Sequence, residues 1–184
     1  AVIVEPIQSE GGDNHASAKF FQGLRDITLK YEARLIIDEV QTGCGGTGLL
    51  WEHERYNITP PPDLVTFSKK MQSAGYFFHD PEFVPNFPYR QFNTWCGDPV
   101  RVILAGAITR EIREKNILPQ IKETGDYLFG KLESIQSKYP TWMRNLRGKG
   151  KACFIAWDTP SGDDRAKFLN AMKLNGVNMG GCAE

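Results

Sequence analysis

Apolar residues along the chain fall into short runs divided by glycine- and proline-rich turns, with longer stretches of helical period between them. AVIVEP reads as a strand over 1–5, followed by a turn rich in Gly, Asp and Asn through His15. Phe20, Leu24, Ile27 and Tyr31 then recur at helical spacing, which predicts a helix buried along those four residues and N-capped by Ser17. The runs LIIDEVQTG at 35–43 and DLVTFSKK at 63–70 supply two more strands, the second over Leu64–Phe67. Both are short, apolar and partly β-branched, as strands buried in a parallel sheet are. Strand, helix and strand in succession predict a right-handed crossover, and Pro60, Pro61 and Pro62 stop any helix ahead of the third strand.

From Lys70 through Tyr89 the chain is aromatic and broken by Pro81, Pro85 and Pro88, so a long loop is expected there. Asp98 and Pro99 have the chemistry of an N-cap and first helical position, opening a helix to about Asn116. A second helix follows with Ile121, Gly125, Leu128, Leu132, Ile135 and Tyr139 on one stripe. After Pro140 the pattern predicts a strand over 153–157, a helix over 163–175 stopped by Gly176, and a strand over 177–179. The class is α/β, and a boundary near Asn116 divides the chain into units 1–116 and 117–184.

Composition narrows the function. With 184 residues, 41% hydrophobic and 24% charged, the chain suits one or two globular units with a real core. Twenty-two basic residues balance 22 acidic ones, which gives no electrostatic reason to expect nucleic acid or an anionic membrane and favours a small-molecule ligand. Cysteines at 44, 96, 153 and 182 form no C-x-x-C pair and read as reduced thiols rather than a disulfide framework or metal site. No run approaches the roughly 20 apolar residues of a membrane span. The chain opens on an apolar run without methionine and closes on a glycine turn, so a segment cut from the middle of a larger protein is expected.

The two central runs end on chemistry. Parallel strands present ligand sites at their carboxyl edge, and there stand Asp38 on one strand and Lys69 just beyond the other. A carboxylate against a pyridine nitrogen favours the protonated ring that serves as an electron sink. A lysine amine bonds to a cofactor aldehyde once it has lost its proton, which partial desolvation assists. Gln41 is placed to hydrogen-bond a phenolic oxygen without adding charge, and Glu10 adds a second carboxylate at the same edge. Each has a plainer reading: Asp38 and Glu39 as a solvated turn or cap, Lys69 and Lys70 as a solvated pair, Glu10 as a turn residue. The run GCGGTG over 43–48 lacks the Lys-Ser or Lys-Thr of a P-loop and is expected to be a flexible turn.

Taken together, the strings IVEPIQSEGGDNHAS, DEVQTG, FSKK, FFH, PYRQFNTWCGDP and GVNMGGC resemble the class III pyridoxal-phosphate-dependent aminotransferases over essentially the whole chain. Within that family they are most like the animal members that act on 4-aminobutyrate. The resemblance implies the type I fold of pyridoxal-phosphate-dependent transferases, with 1–116 as part of the cofactor-binding large domain and 117–184 as part of an incomplete small domain. It implies pyridoxal 5'-phosphate as cofactor and transfer of an amino group from 4-aminobutyrate to 2-oxoglutarate. Lys69 would hold the cofactor covalently and shuttle the proton, Asp38 would pair with the ring nitrogen, and Gln41 would approach the phenolic oxygen. Thr94 would reach the cofactor phosphate of a neighbouring subunit, which makes a homodimer necessary. Glu10 would be the glutamate that neutralises an arginine for one substrate and releases it for the other. A mitochondrial matrix location is implied as well.

The family's phosphate-binding Gly-Ser turn, ring-stacking aromatic residue and carboxylate-gripping arginine are expected upstream of residue 1, and the arginine partner of Glu10 beyond residue 184. The cysteines that carry an iron–sulfur cluster in mammalian members also belong upstream, so no cluster is assigned. The isolated chain is expected to turn over weakly or not at all. Other ω-amino acid transaminases, for ornithine or β-alanine, and a truncated non-catalytic product are the alternatives.

Overall fold

The computed structural model describes residues 1–182. In chain order the elements are β1 (Val2–Val4), β2 (Ile7–Gln8), β3 (Asn14–His15), α1 (Ala18–Lys30), β4 (Leu35–Asp38), β5 (Leu64–Phe67), β6 (Gly75–Phe78), α2 (Pro99–Glu114), α3 (Ile117–Lys138), β7 (Arg144–Arg147), β8 (Ala156–Asp158) and α4 (Gly162–Leu174). The main sheet has the order β1-β4-β5-β6; β1, β4 and β5 are parallel and β6 returns antiparallel to β5. Two small antiparallel pairs, β2 with β3 and β7 with β8, complete the strands.

Period-two alternation gives the sheet two different faces. Leu35, Ile37 and Val65 point to the core, where they meet Phe21, Tyr56 and Ile58. Ile36, Asp38 and Thr66 alternate with these residues and are only half-buried. α1 covers the core face, its N-terminus capped by Ser17, whose Oγ accepts from Phe20 N at 3.2 Å. Its buried stripe is not the one expected from spacing. Phe21, Arg25 and Thr28 are buried, while Phe20, Ile27 and Tyr31 are 48%, 54% and 69% exposed. Phe21 stacks on Tyr56 with ring centroids 4.2 Å apart, and Arg25 is held by Asp63 at 2.7 Å. Burial of a charge is tolerable once it is paired and hydrogen-bonded, so the helix packs one residue further round than its apolar residues suggest.

Three other expectations change. The 70–89 stretch is not all loop, because Gly75–Phe78 forms β6 along the full length of β5. The predicted strand over 153–157 begins later, at Ala156, and pairs with β7, which charge-rich RNLR concealed. Residues 177–179 form no strand. α2 begins as predicted at Asp98, whose Oδ1 accepts from Val100 N at 3.0 Å, with Pro99 in first position. In α3, Gly125 and Phe129 are buried whereas Leu128, Ile135 and Tyr139 are exposed. The face it turns inward runs through Leu118, Ile121 and Gly125, which lie on the glycine run and on Ala152: a Cβ added to Gly125 would stand 2.3 Å from Ala152 Cα.

The run over 43–48 is accordingly not a free turn. Gly43, Cys44, Gly45 and Thr47 are buried, and a Cβ at Gly43 would fall 2.6 Å from the Trp51 ring. At Gly45 and Gly48 the φ angles are +95° and +85°, and an added Cβ would lie 3.0 Å from Leu118 and 3.2 Å from Lys122. The glycines let the loop and α3 meet almost backbone to backbone.

Candidate functional site

β4 and β5 run in register, with Asp38 opposite Thr66. Asp38 Oδ1 accepts from Thr66 Oγ1 at 3.0 Å and from Val40 N at 2.9 Å. Both hydrogen bonds fall on the same oxygen, which leaves Oδ2 as the one turned to a further partner. The chain then folds into a turn fixed from inside by Glu39. Its fully buried carboxylate accepts from Thr42 Oγ1 on one oxygen and from His53 N at 2.7 Å on the other. His53 Nδ1 stands 2.8 Å from that second oxygen. Such charge-assisted bonds to a carboxylate are among the stronger ones, and they set the orientation of Gln41.

Gln41 is where two elements converge. Its Oε1 accepts from Lys69 Nζ and its backbone oxygen from Lys70 Nζ. The lysines follow β5 in a 3-10 turn, Lys69–Met71, entered through Lys69 at φ +50°. They diverge from there. Lys69 engages the Gln41 side chain. The Lys70 side chain is exposed over much of its length, but its amine end tucks against Gly46 and lies 6.0 Å from the Phe154 ring centroid. Burial of that end pushes the Lys70 ammonium pKa below its ordinary value, and neighbouring Lys69 acts in the same direction.

Glu10 is exposed in the turn between β2 and β3 and lines a cleft of about 900 Å³. Gln41, Lys70, Arg147, Trp157 and Cys182 line other parts of the same cleft. Its far wall is closed by the 180–182 segment, where Cys182 O accepts from Arg165 Nη1 at 3.1 Å. Thr94 lies elsewhere, exposed in the turn ahead of α2, where Asn93 Oδ1 accepts from Trp95 N at 2.8 Å. Among the described residues no hydrogen bond joins Thr94 to Asp38, Gln41 or Lys69. The fold thus brings Asp38, Gln41 and Lys69 to one sheet edge and sets Glu10 on the rim of the adjoining cleft, whose lining does not include Thr94.

Sequence reasoning passed over Thr66, Glu39, His53 and Arg147. Thr66 was legible in principle, since two parallel strands ending on polar residues invite a pairing between them. Glu39 and His53 meet across 14 positions, and Arg147 reaches the Glu10 turn across 135; no local pattern announces either contact. Among the described residues no cluster of His, Cys, Asp and Glu is arranged to hold a metal ion, and no helix is long and apolar enough to cross a membrane.

Known proteins resemble this chain in sequence and in fold. The chain is 66% identical over 183 residues to a 4-aminobutyrate aminotransferase of Saccharomyces cerevisiae, covering 100% of this chain and 39% of that protein. It is 45% identical over 183 residues to the Sus scrofa protein named 4-aminobutyrate aminotransferase, mitochondrial, covering 36% of its length. It therefore spans well under half of these curated relatives. In three dimensions it superposes on a lysine aminotransferase from M. tuberculosis with a TM-score of 0.90 at 30% identity, covering 98% of this chain and 42% of that one. The family description Aminotransferase class-III fits residues 1–184 from end to end, and with the fold in agreement the chain belongs to the class III aminotransferases, whose cofactor is pyridoxal phosphate.

Proposed function

We propose that this chain supplies the ring-binding and switch residues of a transaminase that moves the amino group of 4-aminobutyrate to 2-oxoglutarate, giving succinate semialdehyde and glutamate. The observation that carries the reading is the meeting of Lys69, Gln41 and Asp38 at the carboxyl edge of β4 and β5. Relatives named for this activity at 45–66% identity support it.

The residues suit the cofactor chemically. Asp38 keeps Oδ2 for a protonated ring nitrogen while Thr66 and Val40 hold Oδ1. Gln41 offers an amide to a phenolic oxygen, and Lys69 brings an amine to the position of an aldehyde. Pyridoxal phosphate, when bound, supplies the electron sink for breaking a bond at the amine-bearing carbon. Lys69 would hold the cofactor covalently through its amine and would carry the proton to and from the substrate carbon as general base and acid. Asp38 keeps the ring nitrogen charged by electrostatic pairing. Glu10 neutralises an arginine when 4-aminobutyrate occupies the cleft and frees it for the second carboxylate of glutamate or 2-oxoglutarate.

Thr94, exposed in the turn ahead of α2, serves the cofactor phosphate of a second copy, so the working unit is a homodimer. Asn116, in the left-handed conformation between α2 and α3, is the divide between a cofactor-binding unit, 1–116, and a small-domain unit, 117–184. The last two positions of that second unit lie outside the described residues. The mitochondrial names of the animal relatives support a mitochondrial location.

The decisive test separates the two lysines in a full-length enzyme carrying this segment. Borohydride reduction traps cofactor on the chain if Lys69 is the attachment point. Lys69→Ala then abolishes the trapped label and Lys70→Ala retains it. Label persisting in Lys69→Ala refutes the assignment.

A further inference from the structure

Arg147, at the end of β7, reaches across the cleft to the turn that carries Glu10. Its Nε donates to Gly12 O and to Asp13 O, both at 3.1 Å, and its Nη2 donates to Gly12 O as well. The opposite side of the guanidinium is fixed on its own hairpin: Nη1 donates to Asp158 Oδ1 at 2.8 Å and to Asn145 O at 3.1 Å. The turn it grips is closed on itself, with Gly12 N and Asp13 N donating to Ser9 O at 3.0 and 3.1 Å. Gly12 and Asp13 take φ of +111° and +50°. A turn of so few residues, with its exit carbonyls bound to a rigid planar cation, has little freedom of its own.

We propose that Arg147 is the positioning residue of Glu10, coupling the placement of the β7–β8 hairpin to the carboxylate that discriminates between the two substrates. The proposal rests on the switch role given to Glu10 above. Arg147 does not touch substrate in this role; it holds the Ser9–Asp13 turn so that the Glu10 carboxylate stands at a fixed height on the cleft rim. Without it, Gly12 and Asp13 lose their acceptor contacts, the turn drifts, and the arginine that Glu10 must neutralise is left uncompensated when 4-aminobutyrate binds. The half-reaction with 4-aminobutyrate suffers more than the half-reaction with 2-oxoglutarate, which needs that arginine free.

The test measures both half-reactions by single-turnover absorbance in the full-length enzyme for Glu10→Gln, Arg147→Met, Asp158→Asn and the Glu10→Gln/Arg147→Met pair. Arg147→Met should lower the ratio of kcat/KM for 4-aminobutyrate to that for 2-oxoglutarate by about 10-fold or more, the size that small misplacements remote from the chemistry produce. The shift should have the sign of that in Glu10→Gln, with no further change in the double variant. Asp158→Asn, at an exposed position, should show the same sign at smaller size. Amide exchange read by mass spectrometry should quicken in the 9–13 peptide of Arg147→Met ahead of the core strands. If Glu10→Gln shifts the ratio but Arg147→Met and Asp158→Asn lower both half-reactions equally, the positioning role is overturned alone. If Glu10→Gln leaves the ratio unchanged, the switch role falls and the positioning role with it.

Discussion

Thr66 and Asp38 occupy one register position of neighbouring parallel strands, and the threonine hydroxyl donates to the aspartate at 3.0 Å. The pairing lets β5, the strand that delivers Lys69, also fix the carboxylate on β4. One hydrogen bond therefore links the strand that leads to Lys69 with the carboxylate of Asp38.

Removing only that hydroxyl, by Thr66→Val, should leave the sheet intact and loosen Asp38. Net loss of one such bond is worth about 1 kcal/mol, so the cofactor dissociation constant should rise about 5-fold on spectroscopic titration. Asp38→Asn should weaken binding further, because it removes the charge as well. Equal affinities for Thr66→Val and the parent would show that Val40 N alone suffices to hold the carboxylate.

The Arg25–Asp63 pair is buried beneath α1 at 2.7 Å, and Asp63 Oδ2 also accepts from Leu35 N at 2.7 Å. Asp63 Oδ1 also lies 3.6 Å from the half-exposed Arg34 Nη1, so removing Arg25 takes away the shorter, buried partner, and Arg25→Met should cost about 3 kcal/mol in denaturant unfolding, the low end for a buried pair. Asp63→Asn should cost about as much, because it leaves the buried Arg25 cation without its counter-charge even though an amide oxygen still serves Leu35 N. Burial raises the Asp63 pKa, but the bonds from Arg25 and Leu35 outweigh it and leave the group below its ordinary 3.8. Its contribution is thus complete above pH 4 and fades as the pH falls further. An Arg25→Met protein as stable as its parent would contradict this account of the α1 face.

His15 has both ring nitrogens buried without a hydrogen-bond partner among the described residues. Burial, helped by Lys151 and Arg147, lowers its pKa from 6.5 to about 4. The unfolded chain therefore takes up a proton that the folded one refuses. Stability from this source is present above pH 6.5 and drains away on acidification from 6.5 towards 4. His15→Phe keeps the volume and removes the titration, so its urea midpoint should fall less between pH 7 and pH 4.5 than the parent's. Parallel pH profiles for the two proteins would rule out the effect.

Local chemistry made the central sheet legible: two apolar runs ending on Asp38 and before Lys69 are strands whatever surrounds them. Capping was equally local, at Ser17 and Asp98. What escaped depended on partners distant in sequence. Arg25 reads as a surface residue until Asp63 comes beside it, which turned the predicted face of α1. RNLR gives no apolar signal for β7, since Arg147 is spent on the turn at Gly12. β6 was hidden by the prolines that follow it, although Tyr76, Phe77 and Phe78 are good strand residues. The meeting of Asp38, Gln41 and Lys69 at one sheet edge was within reach of the sequence; the contact of Glu39 with His53 and that of Arg147 with the Gly12 turn were not.

The packing of the glycine run under α3 has a consequence for anyone reshaping what the cleft accepts. Residues 43–48 begin two positions after Gln41, and at Gly43, Gly45 and Gly48 any side chain would push on Trp51, Leu118 or Lys122. Mutational libraries spread over this loop would perturb both lysines through Gln41 before they altered selectivity. Diversity is better placed across the cleft, at Phe168 and Leu169 of α4, where the wall is built from side chains and the neighbours to be varied with them are Trp157 and Gly181.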